Sequence, residues 1–286
     1  MTARILLVRS FFPLLLLAPL AMASQAAAAD TQDAFLVMRA LAAELQNAQD
    51  AQHPMRYLLR KSSPRLSSTK EIIETKDGAV ARLLAINGKP LSAADEQKEQ
   101  ARLSGLLSNP SRQRHRKQSE DEDTARALKV LRALPEAFLY QYAGTGAGAT
   151  GKVEKFTFRP NPDFNPPDLE SQVLTAMTGE IWIDSAQKRV TRLEGHLEQD
   201  VDFGWGILGR LNKGGWIVIE QANVGEHQWR IVRFQMAMSG RVLFKARTFD
   251  TVQEETRFAP LPVGLSYAEA IQMMRADSAA TQRAGR

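Results

Sequence analysis

The chain has 286 residues, a formal net charge of +5 and no cysteine. The lack of cysteine excludes disulfides, thiolate catalysis, cysteine metal sites and an N-terminal lipid-modified cysteine. Cations and anions are interspersed along the chain, so the mild positive excess does not indicate a nucleic-acid-binding surface.

The first 29 residues have the features of a secretory signal peptide. Arg4 and Arg9 precede an apolar run over residues 11–23, which is too short to span a bilayer. Small residues favour cleavage after Ala29, with Ala23 as a competing position, and an uncleaved membrane anchor is the alternative. We therefore predict an exported, periplasmic protein that is soluble after cleavage.

Two helical segments precede the middle of the chain. Residues 33–48 carry apolar side chains at helical spacing. Residues 92–134 are dominated by Glu, Gln, Lys, Arg, Ala and Leu, and Asn109-Pro110 is expected to divide them into two helices. This charged segment is predicted to be a helical insertion whose charges face solvent.

The remaining chain is predicted to be mainly strand. Apolar and polar residues alternate near 55–76, 79–86, 152–159, 173–184, 188–201, 215–223, 227–239 and 241–256. Hairpin turns are expected at Asp77-Gly78, Asn87-Gly88, Asp184-Ser185, Gly225-Glu226 and Ser239-Gly240. Residues 144–151, GTGAGATG, are expected to be a flexible spacer.

These elements predict an α+β fold: a highly curved antiparallel β-sheet, an unclosed β-barrel, packed on helices and carrying a helical insertion. The predicted domain covers residues 30–262. Ser266 and Glu269 form a capping box that starts a last helix in the C-terminal segment 263–286.

The segment Phe203–Gly215, FGWGILGRLNKGG, has five glycines in thirteen residues. A phosphate-binding loop would be followed by a helix, but a strand-like sequence follows here. Two interpretations stay open. Exposed Trp205 and Leu208 would form an apolar rim for a partner or lipid, whereas buried they would close a corner of the sheet.

No catalytic or metal-binding motif is present, and we predict neither a catalytic residue, nor a metal site, nor a cofactor. His196 and a row of acids, Glu194, Glu198, Asp200 and Asp202, could be read as an acid–base group. Because Leu193, Leu197 and Val201 alternate with this row, the acids are expected on the wet outer face of the sheet. A hydrolase therefore ranks last among the function hypotheses.

The run GEIWIDSAQKRVTRLEG, Gly179–Gly195, resembles the central hairpin of the outer-membrane lipoprotein carrier and receptor (Lol, or LolA/LolB-like) superfamily. The resemblance extends by pattern over residues 30–90 and 150–258. It implies an unclosed barrel of about eleven antiparallel strands around helices, with an apolar cavity that holds acyl chains. The insertion, the proline-rich loop at 159–167 and the terminal helix depart from the family, and its cavity residues have no motif that could be carried over.

We therefore expect a non-catalytic, exported protein that binds a lipid or the acyl chains of a lipoprotein in a half-barrel cavity. A curved sheet needs an apolar inner face, and an unfilled apolar cavity binds apolar ligands. The alternative is an interaction or sensor module whose insertion docks on a membrane-protein partner. The candidate cavity residues are Ile181, Trp182, Ile183, Leu193, Leu197, Trp205, Leu208, Trp216, Ile217 and Phe234.

Overall fold

The computed structural model describes residues 20–149, 151–204, 208–243 and 245–284. The helices are α1 (Leu20–Asn47), α2 (Ala93–Ser108), α3 (Pro110–Ala137) and α4 (Tyr267–Ala284), with a 3-10 helix at Glu170–Ala176. The strands are β1 (Met55–Ser62), β2 (Ser67–Ile73), β3 (Val80–Ile86), β4 (Lys89–Pro90), β5 (Phe138–Gly148), β6 (Gly151–Pro160), β7 (Met177–Asp184), β8 (Val190–Leu197), β9 (Val201–Phe203), β10 (Gly209–Leu211), β11 (Trp216–Asn223), β12 (Trp229–Val242) and β13 (Lys245–Pro260).

All of these strands belong to one antiparallel sheet, in the order β4-β3-β2-β1-β13-β12-β11-β8-β7-β6-β5. Strands β9 and β10 form a short hairpin that pairs with the end of β12. The first strand of the chain thus pairs with the last one, and the sheet is not closed into a barrel. The predicted α+β class with an unclosed, curved antiparallel sheet is confirmed.

Helices α1 and α3 cover one face of strands β5 to β8, which we call the inner face. Opposed residues of these strands, among them Phe156 and Ile181, point to it and are fully buried. Val37 and Leu41 of α1 and Leu134 of α3 complete this core. Burial of such apolar surface at roughly 25 cal/mol per Å² is the main stabilising term.

Helices α2 and α4 pack on the other face of the sheet, at the opposite end. Arg82 of β3 donates to the Met274 carbonyl of α4 at 3.1 Å and contacts Glu96 of α2 at 3.0 Å. A second, smaller core forms there from Ile73, Val80, Leu103, Leu106, Ala270, Ile271 and Met274.

Helix α3 connects the two ends of the unclosed sheet. Its N-terminal part is fixed to the β2–β3 loop, where Gln113 Nε2 donates to the Asp77 carbonyl at 2.9 Å and Glu120 Oε2 accepts from Ala79 N–H at 2.9 Å. Its C-terminal end continues into β5, the other end strand. The residues between, 121–127, are exposed on every side of the helix. At 1.5 Å per residue the 28-residue helix is about 42 Å long and bridges the opening.

The outer face of the sheet carries a ladder of directly opposed side chains on successive strands. Its members are Lys155, Trp182, Arg192, Glu220, Arg233, Glu254 and Arg60. Lys155 Nζ lies 3.9 Å from the centre of the Trp182 ring, and Arg192 pairs with Glu220. Cross-strand pairs of opposite charge stabilise a sheet by a few tenths to 1 kcal/mol each.

Several local predictions are confirmed. Asn109-Pro110 separates α2 from α3, and Asn87-Gly88 forms a tight turn with positive φ angles of 50° and 75°. Ser266 and Glu269 cap α4 reciprocally, since Ser266 N–H donates to the Glu269 carboxylate at 2.8 Å and Glu269 N–H donates to Ser266 Oγ at 3.3 Å.

Other local predictions were wrong. The expected spacer at residues 144–151 is largely strand, because 144–148 continue β5 beside β6. The expected turn at Ser239-Gly240 lies inside β12, which continues to Val242. Gly240 is there for a different reason: a Cβ at this position would meet the Arg210 carbonyl oxygen of β10 at 2.2 Å.

The N-terminal region was predicted only in part. Helix α1 ends at Asn47, as expected, but begins before the predicted position 33. Most of the predicted signal peptide lies outside the described residues, and its boundary remains a prediction. None of the helices in the described ranges is both long and apolar enough to cross a membrane.

Candidate functional site

The inner face is not covered uniformly. Between the two cores, strands β11, β12 and β1 present apolar side chains that are only partly buried and belong to neither core, and β13 places the polar residues Thr251, Gln253 and Glu255 between them. Helix α1 packs mainly on β5 and β8, and α3 packs mainly on β5 and the 3-10 helix. The C-terminal end of α1 also reaches β11, through Glu44 and Gln221, and β12, where Asn47 donates to the Trp229 carbonyl at 3.0 Å. We call this region the inner strip; it consists of Tyr57, Leu59, Ile219, Phe234 and Met236.

Strand register places the members of the inner strip side by side. Phe234 lies between Ile219 and Gln253, and Met236 lies between Ile217 and Thr251. Four strands at 4.7–4.9 Å spacing make a surface roughly 15 Å wide. The inner strip is therefore an apolar trough with a few polar side chains, the composition typical of a small-molecule or lipid site.

Two carboxyl groups lie at the β1 side of the inner strip. Glu255 stands opposite Leu59, and burial together with the nearby charge of Glu74 raises its pKa to about 7. Burial also raises the pKa of Glu74, which accepts from Met55 N–H at 2.9 Å and lies 3.5 Å from Arg230 Nη2. The Glu74 side chain nevertheless stays 30 % exposed. This combination is expected for a group lining a concave surface.

Three predicted site residues lie in the core rather than in the trough. Ile181, Ile183 and Leu197 are almost fully buried by α1, α3 and the neighbouring strands. Leu193 and Ile217 are partly buried at the border between this core and the inner strip. Phe234 alone of the predicted residues lies within the inner strip.

The two predicted tryptophans that the structure describes lie on the outer face, which corrects their assignment to the inner face. Trp182 stands opposite Lys155 and Arg192 in the outer ladder, and its Nε1–H donates to Glu180 at 3.0 Å. Trp216 stands opposite His196. Adjacent residues of a strand point to opposite faces, so Ile181, Trp182 and Ile183 could not all face inward.

The described part of the glycine-rich segment contributes Phe203 to β9 and Gly209–Leu211 to β10. Trp205 lies outside the described residues, and Leu208 is 50 % exposed at the start of β10. Phe203 and Leu211, in contrast, pack against the main core. The base of the segment is thus a closing corner of the sheet, and Leu208 belongs to an exposed rim.

Sequence reasoning missed Tyr57, Leu59, Ile219, Met236 and Glu255. The signal for Ile219 and Met236 was available, since each lies two residues from a residue that was named. Glu255 carried no local signal, because only the pairing of β13 with β1 brings it beside Leu59 and Glu74.

The acid row lies on the outer face, as predicted. Asp202 binds Arg210 at 2.6 and 2.7 Å, and a hydrogen bond from Arg192 holds the pKa of Glu194 below its usual value. His196 Nε2 lies 3.0 Å from Glu194 in a surface depression of about 540 Å³ with a mixed polar and apolar lining. Glu194, Asp200 and Asp202 are therefore paired with arginines on the surface of the sheet.

In the described part of the chain, no nucleophilic side chain is hydrogen-bonded to His196. The nearest hydroxyl across the strands, Thr178 Oγ1, donates to Glu198 at 2.9 Å. A nucleophile needs a hydrogen bond to its base. Within the described ranges, no three His, Asp or Glu side chains are grouped as metal ligands.

Comparison with known proteins finds similarity at the level of the fold. No family model and no curated protein matches the sequence. Among solved structures, an outer membrane lipoprotein-sorting protein domain from Vibrio parahaemolyticus is 11 % identical with a TM-score of 0.29, over 79 % of this chain and 92 % of that one. A DUF1329 family protein from Desulfovibrio piger is 10 % identical with a TM-score of 0.26, over 80 % and 93 %.

A third similar structure is MucB in complex with MucA(peri), at 12 % identity and a TM-score of 0.20, over 76 % of this chain and 93 % of that one. A lipoprotein-sorting domain is thus among the structures to which this chain is similar. Similarities of this size carry no argument for a shared ligand, partner or residue role.

Proposed function

We propose that this chain is a non-catalytic, exported, periplasmic protein that binds the acyl chains of a lipid or lipoprotein along the inner strip. The inner strip itself supports this most directly: its apolar side chains on β11, β12 and β1 lie inside a curved sheet, are only partly buried and belong to neither core. An apolar concave surface with a few polar groups is the usual composition of a ligand site.

The surroundings of the inner strip fit an amphipathic ligand. Apolar side chains lie on β11, β12 and β1, with Thr251 and Gln253 of β13 between them, whereas Glu255, Glu74 and Arg230 gather near β1. A carboxyl group whose pKa is about 7 is partly protonated at neutral pH and then donates a hydrogen bond. We therefore place the ligand's acyl chains over Phe234 and Met236, with its polar end towards Glu255.

Binding of a fluorescently labelled fatty acid by Met236→Lys and Ala237→Lys tests the proposal. These neighbours point to opposite faces: Met236 lies in the inner strip, and Ala237 stands opposite Trp216 and Asp250 on the outer face. We expect Met236→Lys to weaken binding at least about tenfold, since an ammonium group cannot be placed against an acyl chain without a large desolvation cost. Ala237→Lys should bind like the wild type.

Native mass spectrometry of the wild type from an envelope fraction complements this test. A mass excess that matches a lipid, and that Met236→Lys lacks, is the expected result. Equal binding by the wild type and both variants, or absence of fatty-acid binding by the wild type, would sink the proposal.

The second candidate function, an interaction or sensor module, is favoured by the exposed surface of α3. Arg112, Arg114 and His115 are exposed on its first turns, and residues 121–127 are all exposed. Deleting the insertion cannot test this, because Leu134 belongs to the main core and Leu103 to the second one. Arg112→Glu with Arg114→Glu, assayed by pull-down of envelope proteins with fatty-acid binding as the control, separates the two functions.

A further inference from the structure

The β12–β13 hairpin extends beyond its neighbouring strands. Pairing with β11 ends at Trp216–Ala237, and pairing with β1 ends at Ser62–Val252. Residues 238–242 and 245–249 continue past these points and pair with each other. The hairpin therefore projects from the edge of the half-barrel.

The β9–β10 hairpin supports one side of this projection. Gly209 pairs with Val242, Leu211 pairs with Gly240, and Leu243 N–H donates to the Leu208 carbonyl at 3.1 Å. Two hairpin ends thus lie together. We call them the tip and define it as Leu208 with the described residues of 238–251.

The tip exposes large apolar side chains. Leu208, Val242, Leu243 and Phe249 are 50 %, 49 %, 53 % and 41 % exposed. Isolated exposed apolar residues are ordinary, but four of them on two hydrogen-bonded hairpins form a patch, and such patches mark a partner or a membrane surface.

The charges of the tip are predominantly positive. Arg241, Lys245 and Arg247 are exposed, and Asp250 is the acid of residues 238–251. Lys245 and Arg247 form no ion pair with any residue in the described ranges, whereas Arg210 at the base is neutralised by Asp202. Apolar side chains flanked by exposed cations fit an anionic lipid surface, because cations bind the headgroups while apolar groups enter the acyl boundary.

The tip is also continuous with the inner strip. Alternation along β12 puts Phe234, Met236, Met238 and Val242 on the same face, and Phe249 stands directly opposite Met238. Met238 packs against the main core, so the row is firmly held. An apolar row therefore leads from the exposed end of the hairpin to the proposed acyl-binding surface.

We infer that the tip docks on an anionic lipid bilayer and that acyl chains pass between bilayer and inner strip along this row. The inference rests on the proposed function for the destination of the acyl chains. It adds the surface of contact, the chemical class of that surface and the route.

Vesicle flotation tests the docking. We expect the wild type to bind vesicles of phosphatidylglycerol and phosphatidylcholine at 1:3 and to bind pure phosphatidylcholine much less. The double variant Lys245→Glu/Arg247→Glu should lower binding to the anionic vesicles by at least about fivefold for each positive charge removed. Leu243→Asp should lower it at least about fivefold.

Val263→Asp is the matched control. Val263 is 61 % exposed and lies in the loop before α4, away from the tip. It should leave flotation unchanged. Lack of binding by the wild type, equal binding by all variants, or tip-dependent self-association in sedimentation in place of vesicle binding would each overturn the inference.

A fatty-acid assay in the absence of vesicles separates this inference from the proposed function. Leu243→Asp should retain binding of the labelled fatty acid in solution, and Met236→Lys should retain flotation. If flotation depends on the tip but the wild type binds no fatty acid, the docking surface stands and the proposed function fails. If the wild type binds fatty acid but flotation does not depend on the tip, the proposed function stands and the docking surface fails.

Discussion

Two neighbouring glutamates show how strongly the two faces of the sheet differ. Glu254 and Glu255 are consecutive in β13, so their side chains point to opposite faces. Glu254 lies 3.6 Å from Arg60 in the outer ladder. Glu255 faces inward beside Leu59, where burial and Glu74 raise its pKa to about 7.

The raised pKa predicts the pH dependence of stability. Between the ordinary value of 4.5 and about 7, the folded protein holds more protons on Glu255 than the unfolded chain does, so this residue lowers stability as pH rises through that window. Glu255→Gln should therefore raise the free energy of unfolding at pH 8 by about 1–2 kcal/mol relative to the wild type, with little difference at pH 4.5.

Urea unfolding at the two pH values measures this effect. Glu254→Gln is the matched control and should change the free energy of unfolding by less than about 0.5 kcal/mol, since exposed ion pairs contribute little. A Glu255→Gln variant with the same pH profile as the wild type would contradict the assignment.

At the scale of elements, a single buried ion pair fixes α1 to the sheet. Glu44 of α1 accepts from Arg189 Nε at 2.8 Å and from Arg189 Nη2 at 2.9 Å, and also from Val190 N–H at 3.1 Å and Gln221 Nε2 at 3.2 Å. Arg189 in turn lies over the Trp229 ring at 5.4 Å. One carboxylate thus joins α1 to the β7–β8 turn and to β11.

Glu44→Gln should lower the free energy of unfolding by about 3 kcal/mol. It leaves the guanidinium of Arg189 without its counter-charge in a largely buried place, which costs more than the pair itself contributes. Gln46→Ala, on the exposed side of the same helix, should change it by less than about 0.5 kcal/mol. Urea unfolding followed by circular dichroism measures both, and equal effects would mean that the pair does not hold α1.

At the scale of the whole molecule, two cores on opposite faces share one sheet. Phe156 is central to the larger core and Met274 to the smaller one. Because β1, β13 and β12 connect the two regions through continuous hydrogen-bonded pairing, we expect them to unfold together.

Phe156→Ala and Met274→Ala test this cooperativity. Each variant should unfold in a single transition with a lower midpoint, and the free energy of unfolding should fall by about 3–5 kcal/mol for Phe156→Ala and about 2–5 kcal/mol for Met274→Ala. Tryptophan fluorescence and far-ultraviolet circular dichroism should report the same transition in both variants. An early, separate transition in Met274→Ala alone would show that α2, α4 and the β2–β3 edge form an independent unit.

The sequence predicted what depends on local pattern and not what depends on register. Alternation identified most of the long strands, but it missed β5 and assigned to a strand residues 173–176, which form the end of the 3-10 helix. It could not resolve Ile181-Trp182-Ile183, an unbroken apolar run, because the decisive facts are the opposing Lys155 and Arg192. Likewise, the local sequence around Gly240 predicts a turn, but glycine is needed there because β10 approaches the backbone too closely for a side chain.

The candidate site could be predicted only as a class. An apolar cavity follows from a curved sheet with an apolar face, but its extent depends on where the helices stop. That α3 spans the opening, with residues 121–127 exposed, follows from its attachments at Asp77, Ala79 and β5. Those attachments join residues far apart in the chain and leave no local signature.

The pairing of β1 with β13 has a consequence for the order of folding. The strands at residues 55–62 and 245–260 are separated by most of the chain, yet they lie side by side near the middle of the sheet. Because synthesis starts at the N-terminus, one edge of β1 stays unpaired until nearly all later residues have been made. Such long-range closure slows folding and leaves an aggregation-prone edge open in the meantime. We therefore expect the local hairpins to fold first and the half-barrel to form in one late step, when β13 pairs with β1.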